Sequence, residues 1–156
     1  MFRPGDMLSY PMHGICVVEA IEEKEVLGER KSYYMLRLRS DRMSAMIPVD
    51  KADEVGLRPV IPREDCEQVL RLLRAVPCEE NDNWNQRYRE NLTKLKGGDI
   101  FQVAEVVNCL NHRDAQRGLS SGERRMLLTA RKVLVMELSA ASGLPEKEFH
   151  EVVGIL

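Results

Sequence analysis

The sequence predicts an α+β protein of two domains, a small antiparallel β-barrel followed by a compact all-α domain. Two observations support this division. Residues 1–58 are rich in β-branched and aromatic residues interrupted by proline and glycine, whereas apolar residues recur at helical spacing from Pro62 onward. A chain of 156 residues has room for two small domains. Because the composition changes near residues 55–62, we expect domains at residues 1–58 and 59–156.

Four strands are expected in the first domain, each with partial alternation of apolar and polar residues. They cover the segments GDMLSY, GICVVEAIEEKEV, KSYYMLRLR and MSAMIPV, which are separated by Gly14, an LGER turn and an SDR turn. Pro4, Gly5 and Pro11 suit the tight bends of a small barrel and fit poorly in a helix.

Helices are expected throughout the second domain. The first has proline and acidic residues at its front, beginning at Pro62, and is ended by Pro77. The second starts at the cap-type residues Asn81 to Asn83 and finishes at a glycine pair. Two capping boxes, Asp99 with Gln102 and Ser120 with Glu123, predict the next two helices. The residues expected to bound these helices and a last short one are Gly118, Gly143 and Pro145.

The net charge of −2 conceals a cationic block in the middle of the chain. Residues 81–135 carry 10 Lys and Arg against 6 Asp and Glu, whereas residues 1–80 carry 12 against 15 and residues 136–156 carry 1 against 4. A basic segment between two acidic ones indicates a polyanionic partner. The alternative is a solvated helical surface.

Cysteine spacing and motif content disfavour a cofactor and an enzyme. Cys16, Cys66, Cys78 and Cys109 contain no C-x-x-C pair, so reduced thiols are expected. Cys109 and His112 have C-x-x-H spacing, but a zinc site needs further ligands, and we expect no metal. Motifs such as HExxH, GxSxG and GxGxxG are absent from the sequence. No apolar run approaches the roughly 18 residues of a membrane span, and a cytoplasmic protein is expected.

Trp84 is the only tryptophan and lies at the start of the basic helix. Helical spacing places Trp84, Arg87, Tyr88 and Asn91 near one another. Because its neighbours in sequence are polar, we expect the indole to stay partly exposed; the alternative is a core anchor. An exposed indole can wedge into a base step while cations hold the phosphates. The residues expected to contact DNA are Trp84, Arg87, Arg89, Lys94, Arg113, Arg117, Arg124 and Arg125.

Five stretches resemble the CarD/CdnL family of bacterial transcription regulators, in one register over nearly the whole chain. They are GDMLSYPMHGICVVEAIE, IPVDKADEVGLRPVI, NWNQRYRENLTKLKGGD, VAEVV and RGLSSGERRML. The resemblance implies a Tudor-like, SH3-like first domain that binds the RNA polymerase β-subunit lobe, partly by pairing a strand edge. It also implies a helical domain that meets promoter DNA at the upstream edge of the transcription bubble, largely without sequence specificity.

The resemblance gives individual residues expected roles. Trp84 is similar to a family tryptophan that wedges into the minor groove and stabilises the open complex, and basic residues at Arg89, Arg113 and Arg124 look like those of the family. Polymerase contacts are expected at Lys24, Val26 and Met46. Family members often carry two basic residues on these strands, of which Lys24 keeps one and Met46 replaces the other. Gln86 also stands where relatives are commonly basic.

The resemblance further implies a monomer in the bacterial cytoplasm, associated with the nucleoid through RNA polymerase. One alternative from another functional class stays open. The chain is then a protein-interaction module that binds polymerase or another partner without a direct DNA role, and its basic helices serve solubility.

Overall fold

A five-stranded antiparallel sheet precedes a group of helices in the computed structural model, which describes residues 1–40, 42–77 and 81–155. The strands are β1 (Met7–Tyr10), β2 (Gly14–Val26), β3 (Glu29–Leu38), β4 (Ser44–Pro48) and β5 (Arg58–Pro59), in the spatial order β4-β3-β2-β1-β5. The predicted α+β class and the four predicted strands are confirmed. The strand β5 is not predicted from the sequence, because its two residues, one of them a proline, are too few to show alternation.

The β2–β3 hairpin is the longest feature of the sheet and extends beyond its core. Near its base, Cys16, Val18 and Leu36 are buried. Residues 22–30, at its far end, are all exposed. Leu27 and Gly28 turn the chain with positive φ values of 53° and 81°, the backbone conformation that suits a tight hairpin. The hairpin tip therefore projects into solvent, where a partner can reach it.

The second half of the chain is helical, as predicted. Its helices are α1 (Cys66–Arg74), α2 (Trp84–Gly97), α3 (Ile100–Arg117), α4 (Ser121–Ser142) and α5 (His150–Val153), and single 3-10 turns occur at Val49–Lys51, Arg63–Asp65 and Glu146–Phe149. The 3-10 turn at Arg63–Asp65 explains why α1 begins later than the expected start near Pro62.

The predicted cap residues Asp99 and Ser120 are confirmed, but Asp99 bonds the amide of Phe101 and not that of Gln102. The side chain of Asp99 accepts a hydrogen bond from the Phe101 amide, and that of Ser120 accepts one from the Glu123 amide. Gly98 ends α2 in the left-handed conformation, with φ of 78°. A Cβ atom at Gly98 would also lie 2.7 Å from Pro11 Cγ, so only glycine fits this contact between the sheet and the helices.

Arg58 joins the sheet to the helices through an ion pair with a buried carboxylate, and its own side chain is partly buried. Its Nη1 and Nη2 atoms donate to Glu137 Oε2 and Oε1 at 2.7 and 2.8 Å, a two-pronged contact. The Arg58 Nε and Nη2 atoms also donate to the Gly98 carbonyl at 2.9 and 2.7 Å. Glu137 is 1% exposed and accepts a further bond from the Ile61 amide at 3.0 Å. β5 is thereby held against α4 and the end of α2.

The structure shows how far the described cysteines are buried. Cys16 and Cys66 are buried thiols, Cys109 is half-buried on α3, and Cys78 lies outside the described residues. Burial raises the pKa of the Cys16 thiol to about 11, so it stays protonated at neutral pH.

Within residues 1–40, 42–77 and 81–155, no three or more His, Cys, Asp and Glu side chains are grouped to hold a metal ion. In the same ranges, no helix has the length and apolar character needed to cross a membrane.

Candidate nucleic-acid interface

Trp84 is the first residue of α2, and its side chain is 42% exposed. The polar residues before it form the helix cap: Asn83 Oδ1 accepts from the Gln86 amide at 3.1 Å, and Asn81 Oδ1 accepts from the Asn83 amide at 2.9 Å. These cap contacts hold the backbone at the start of α2. The exposure of Trp84 confirms the expectation of a partly exposed indole.

The exposed indole has a defined orientation. Its ring lies 5.0 Å from that of Tyr88 with an interplanar angle of 16°, so the two rings are stacked. The Trp84 Nε1 atom donates to Ser120 Oγ at 3.0 Å and to Glu123 Oε1 at 3.2 Å. At Gly122, an added Cβ would lie 3.4 Å from Tyr88 Cε2 and 3.8 Å from Trp84 Cζ2, so the aromatic pair packs directly against the first turn of α4.

Glu123 connects the indole to a buried cation. Its Oε2 atom accepts from Arg87 Nε at 3.0 Å, while its Oε1 atom accepts from Ser120 Oγ at 3.1 Å as well as from the indole. Arg87 and Glu123 are 4% and 2% exposed. Arg87 also donates to the Asn81 carbonyl at 3.1 Å, in the segment just before Trp84. This ion pair fixes both the start of α2 and the edge of the indole.

The prediction that Arg87 contacts phosphate is corrected by this burial. Helical spacing rightly places Arg87 on the same side of α2 as Trp84, but that side turns towards α4, where Glu123 covers the guanidinium. Sequence reasoning identified Glu123 only as half of a capping box. Its position three residues after Ser120 carried no signal for the additional bonds to α2, because those bonds depend on how the two helices pack.

The groups around Glu123 lower the pKa of its carboxyl and so favour its bonds to Arg87 and Trp84. Burial alone would raise the pKa of this carboxyl, but the hydrogen bond and positive charge of Arg87, together with bonds from Ser120, outweigh desolvation and hold the pKa below its ordinary value. The carboxylate is consequently charged at neutral pH and remains an acceptor for the Trp84 N–H group.

The remaining predicted cations lie on α2, α3 and α4. Arg89, Arg117 and Arg125 are exposed. Arg124 Nη2 lies 3.6 Å from Asp114 Oδ1, and its side chain is 58% exposed. An ion pair of such exposure is weak and readily exchanged for a phosphate. Two others are half-buried: Lys94, which lies 3.4 Å from Glu105, and Arg113, which is engaged with a partner within the protein.

A groove of about 510 Å³ opens beside the aromatic pair. Trp84 and Tyr88 form part of its lining, and Arg125 contributes a cation. The other lining residues are apolar or hydroxyl-bearing: Met12, Leu92, Leu95, Ser120, Ser121, Gly122, Met126 and Thr129. The structure thus brings an indole, an apolar cavity and a cation together, a combination suited to a base or sugar beside a phosphate.

The predicted polymerase contacts lie on the other domain. Lys24 and Val26 belong to the exposed end of β2, where Lys24 pairs with Lys31 and Val26 with Glu29 across the hairpin. Met46 lies on β4, the last strand at one edge of the sheet. Val26 and Met46 are 39% and 40% exposed. An edge strand offers backbone groups to which a partner strand can bind.

Comparisons with known proteins cover both parts of the chain. Residues 2–61 match the family model described as "CarD-like/TRCF RID domain", and residues 68–154 match that described as "CarD, C-terminal domain". A curated relative, "Putative transcription factor YdeB" of Bacillus subtilis (strain 168), is 36% identical over 148 residues, which cover 95% of this chain and 97% of the relative. A solved structure, "CdnLNt from Myxoccoccus xanthus", is 44% identical, covers 39% of this chain and 86% of that chain, and has a TM-score of 0.34.

Proposed function

Because this chain belongs to the CarD/CdnL family of RNA-polymerase-interacting transcription factors, we propose that it stabilises the open promoter complex through a minor-groove tryptophan wedge. The family is one of transcription regulators and not a known class of enzymes. In this proposal, the N-terminal domain binds the β-subunit lobe of polymerase, and the helical domain, as a monomer, meets DNA at the upstream edge of the bubble. The proposed boundary lies between residues 58 and 59.

The observation that carries the proposal is the fixed, partly exposed indole. Tyr88 supports one ring face, and Ser120 and Glu123 hold the N–H edge, so little side-chain freedom is lost when Trp84 enters DNA. Aromatic and apolar side chains inserted between base steps unstack them at a cost of a few kcal/mol. DNA that is already melted avoids much of that cost, so the wedge favours the open state.

The exposed cations supply the rest of the DNA affinity. In this proposal the exposed Arg89, Arg117, Arg124 and Arg125 bind phosphates, and the half-buried Lys94 and Arg113 add positive charge. Phosphate contacts orient a protein on DNA without reading its sequence. Polymerase provides the location and a high effective concentration, so weak DNA binding is sufficient.

The polymerase contact is proposed at Lys24, Val26 and Met46. A strand of the β lobe adds to the edge of β4 through backbone hydrogen bonds, a mode that does not require a charged side chain at Met46. Lys24 lies 3.7 Å from Glu22 on an exposed strand, and this weak ion pair leaves its charge accessible to a partner.

Replacing Trp84 with alanine should shorten the lifetime of the open complex. Loss of a stacked aromatic contact costs about 1–3 kcal/mol, which corresponds to a decrease of roughly 5- to 150-fold. The measurement is promoter footprinting with purified polymerase, with and without the protein, followed by the decay of the open complex after a competitor is added. Footprinting reports the partner, the location on the promoter and the state of the bubble together.

Two further variants sharpen this test. Trp84→Phe keeps an aromatic ring but removes the N–H donor to Ser120 and Glu123, so an intermediate lifetime is expected. Val76→Ala shortens an apolar side chain that is 92% exposed and lies outside the proposed site, and it should match the wild type. An unchanged lifetime for Trp84→Ala, with polymerase binding intact, would exclude the wedge.

Charge reversal at Arg89 or Arg124 is expected to weaken binding to duplex DNA and to reduce its dependence on salt. Each phosphate contact contributes about −0.9 to the slope of log affinity against log salt concentration, so each variant should lose about one such increment. Arg71→Glu is the matched control, because Arg71 lies on α1 and is 76% exposed but is not among the proposed contacts. If the affinity for duplex DNA changes neither with salt concentration nor with the two charge reversals, the protein-interaction module is supported instead.

A further inference from the structure

A second cavity, of about 580 Å³, lies between the two domains. The chain just after β3 contributes Arg39 and Ser40, and the helical domain contributes Arg131 and Lys132 from α4 and His150 from α5. Within the described part of the chain, its lining and that of the groove beside Trp84 have no residue in common, so it is distinct from the proposed wedge. A cavity of this volume falls within the range of small-molecule sites in proteins.

The lining is positively charged on one part and apolar on another. Among the residues that the structure describes, the lining has three cationic side chains, Arg39, Arg131 and Lys132, and one carboxylate, Glu146. Val135, Met136 and Ile155 contribute apolar surface. This composition suits a ligand that carries more than one negative charge and an apolar portion. A phosphate monoester has about −1.5 to −2 charges at neutral pH, whereas a single carboxylate has one.

Arg131 has a hydrogen-bonding donor that the described residues leave unused. Its Nε atom is buried and has no hydrogen-bond partner within residues 1–40, 42–77 and 81–155, while its Nη2 atom donates to the neutral Asn111 Oδ1 atom. Desolvation by burial lowers the pKa of the guanidinium, the negative charge of Asp114 raises it, and the positive charge of Arg124 lowers it further. Asp114 is an anion close enough to raise the pKa of the guanidinium, yet the buried Nε donor has no acceptor among the described residues, and a buried unsatisfied donor destabilises the fold.

The position of the guanidinium is sterically defined. Gly154 has φ of +92°, and a Cβ atom added there would lie 3.1 Å from Arg131 Nη2 and 2.9 Å from Asn111 Nδ2. Asn111 Nδ2 in turn donates to the Val153 carbonyl at 3.0 Å. Glycine at the end of α5 therefore leaves room for the arginine, and the neutral Asn111 side chain orients it.

We propose that this interdomain cavity binds a small phosphorylated ligand with an apolar portion. The phosphate accepts hydrogen bonds from Arg131 and Arg39, since guanidinium groups match phosphate geometry, and Lys132 adds charge. The apolar portion packs against Val135 and Met136. Because Arg39 belongs to the sheet domain and Arg131 to the helical domain, such a ligand connects the two and stabilises their docked arrangement.

The test is calorimetric titration of the full chain with ADP, AMP and inorganic phosphate, with adenosine as the uncharged comparison. Binding of the phosphorylated probes but not adenosine is expected. Arg131→Gln and Arg39→Gln should each weaken binding, the former by at least about tenfold. Arg89→Gln and Trp84→Ala should leave it unchanged, so this result does not depend on the wedge. Thermal melting in the presence of AMP shows whether the Arg131 variant is folded, and the exposed Arg39 provides a second variant if it is not.

Two results would overturn the assignment. One is the absence of binding by all three phosphorylated probes at millimolar concentration, or equal binding by wild type and by both cavity variants. The other is weakened binding of duplex DNA by Arg39→Gln and Arg131→Gln while the small probes do not bind, which would make the cavity a contact for the DNA backbone.

Discussion

Replacing Arg58 with alanine is expected to lower the free energy of unfolding by about 3–5 kcal/mol, because it leaves the carboxylate of Glu137 buried without its cation. Glu137 is 1% exposed, and its two oxygens accept from Arg58 at 2.7 and 2.8 Å. The same substitution removes both donors to the Gly98 carbonyl at the end of α2. Chemical denaturation at neutral pH provides the measurement.

The control and the double variant separate charge from packing. Arg63→Ala removes an exposed arginine close in sequence and should change the free energy of unfolding by less than about 0.5 kcal/mol. The double variant Arg58→Ala/Glu137→Gln should be less destabilised than the sum of its single substitutions, because the two residues form one interaction. Additive losses, or a loss below about 1 kcal/mol for Arg58→Ala, would show that the ion pair does not hold the domains together.

Local sequence patterns were sufficient to predict most of the fold. β2 and β3 carry enough alternating residues, and α3 and α4 enough periodic ones, to be recognised without tertiary information. The caps at Asp99 and Ser120 were recognisable because capping contacts join residues two or three apart. The short β5 strand was not predictable, since two residues become a strand only when β1 is beside them.

The candidate site was predictable only in part, because some of its contacts depend on tertiary packing. The polar neighbours of Trp84 correctly indicated an exposed indole. A helical wheel shows which residues share a side of α2 but does not show which neighbouring helix covers that side, so the sequence alone predicts Arg87 as a surface cation. Glu137 and Glu123 had no distinguishing pattern as buried carboxylates, because their partners Arg58 and Arg87 are 79 and 36 residues away.

Alanine in place of Arg87 is the second substitution with a large expected effect. It removes the cation paired with Glu123 and should lower the free energy of unfolding at pH 7 by about 3–5 kcal/mol, since both side chains are at least nine-tenths buried. The contacts from Arg87 to the Asn81 carbonyl also disappear, which loosens the segment before Trp84. Denaturation measurements and the fluorescence anisotropy of the single tryptophan report the two effects.

The destabilisation caused by Arg87→Ala should become smaller as the pH falls. In the wild type, the pKa of Glu123 lies below its ordinary value, so its stabilising contribution is present above that ordinary value and is lost as the pH falls through the lowered pKa. Without Arg87, desolvation is no longer outweighed, and the pKa of Glu123 should rise above the ordinary value. Protonation then relieves the buried charge, so the stability difference between the variant and the wild type should narrow from pH 7 towards pH 4.

Arg89→Ala is the matched comparison, because it removes a cation two positions away that is exposed and is proposed to contact phosphate. This variant should lose salt-dependent DNA affinity with almost no change in stability, whereas Arg87→Ala should lose stability and shorten the open-complex lifetime by disordering the indole. Because Arg87 does not reach solvent, its loss should leave the salt dependence of DNA binding unchanged in protein that remains folded. If Arg87→Ala instead kept its stability and reduced the salt dependence as Arg89→Ala does, the guanidinium would be a phosphate contact and the buried ion pair would not position the wedge.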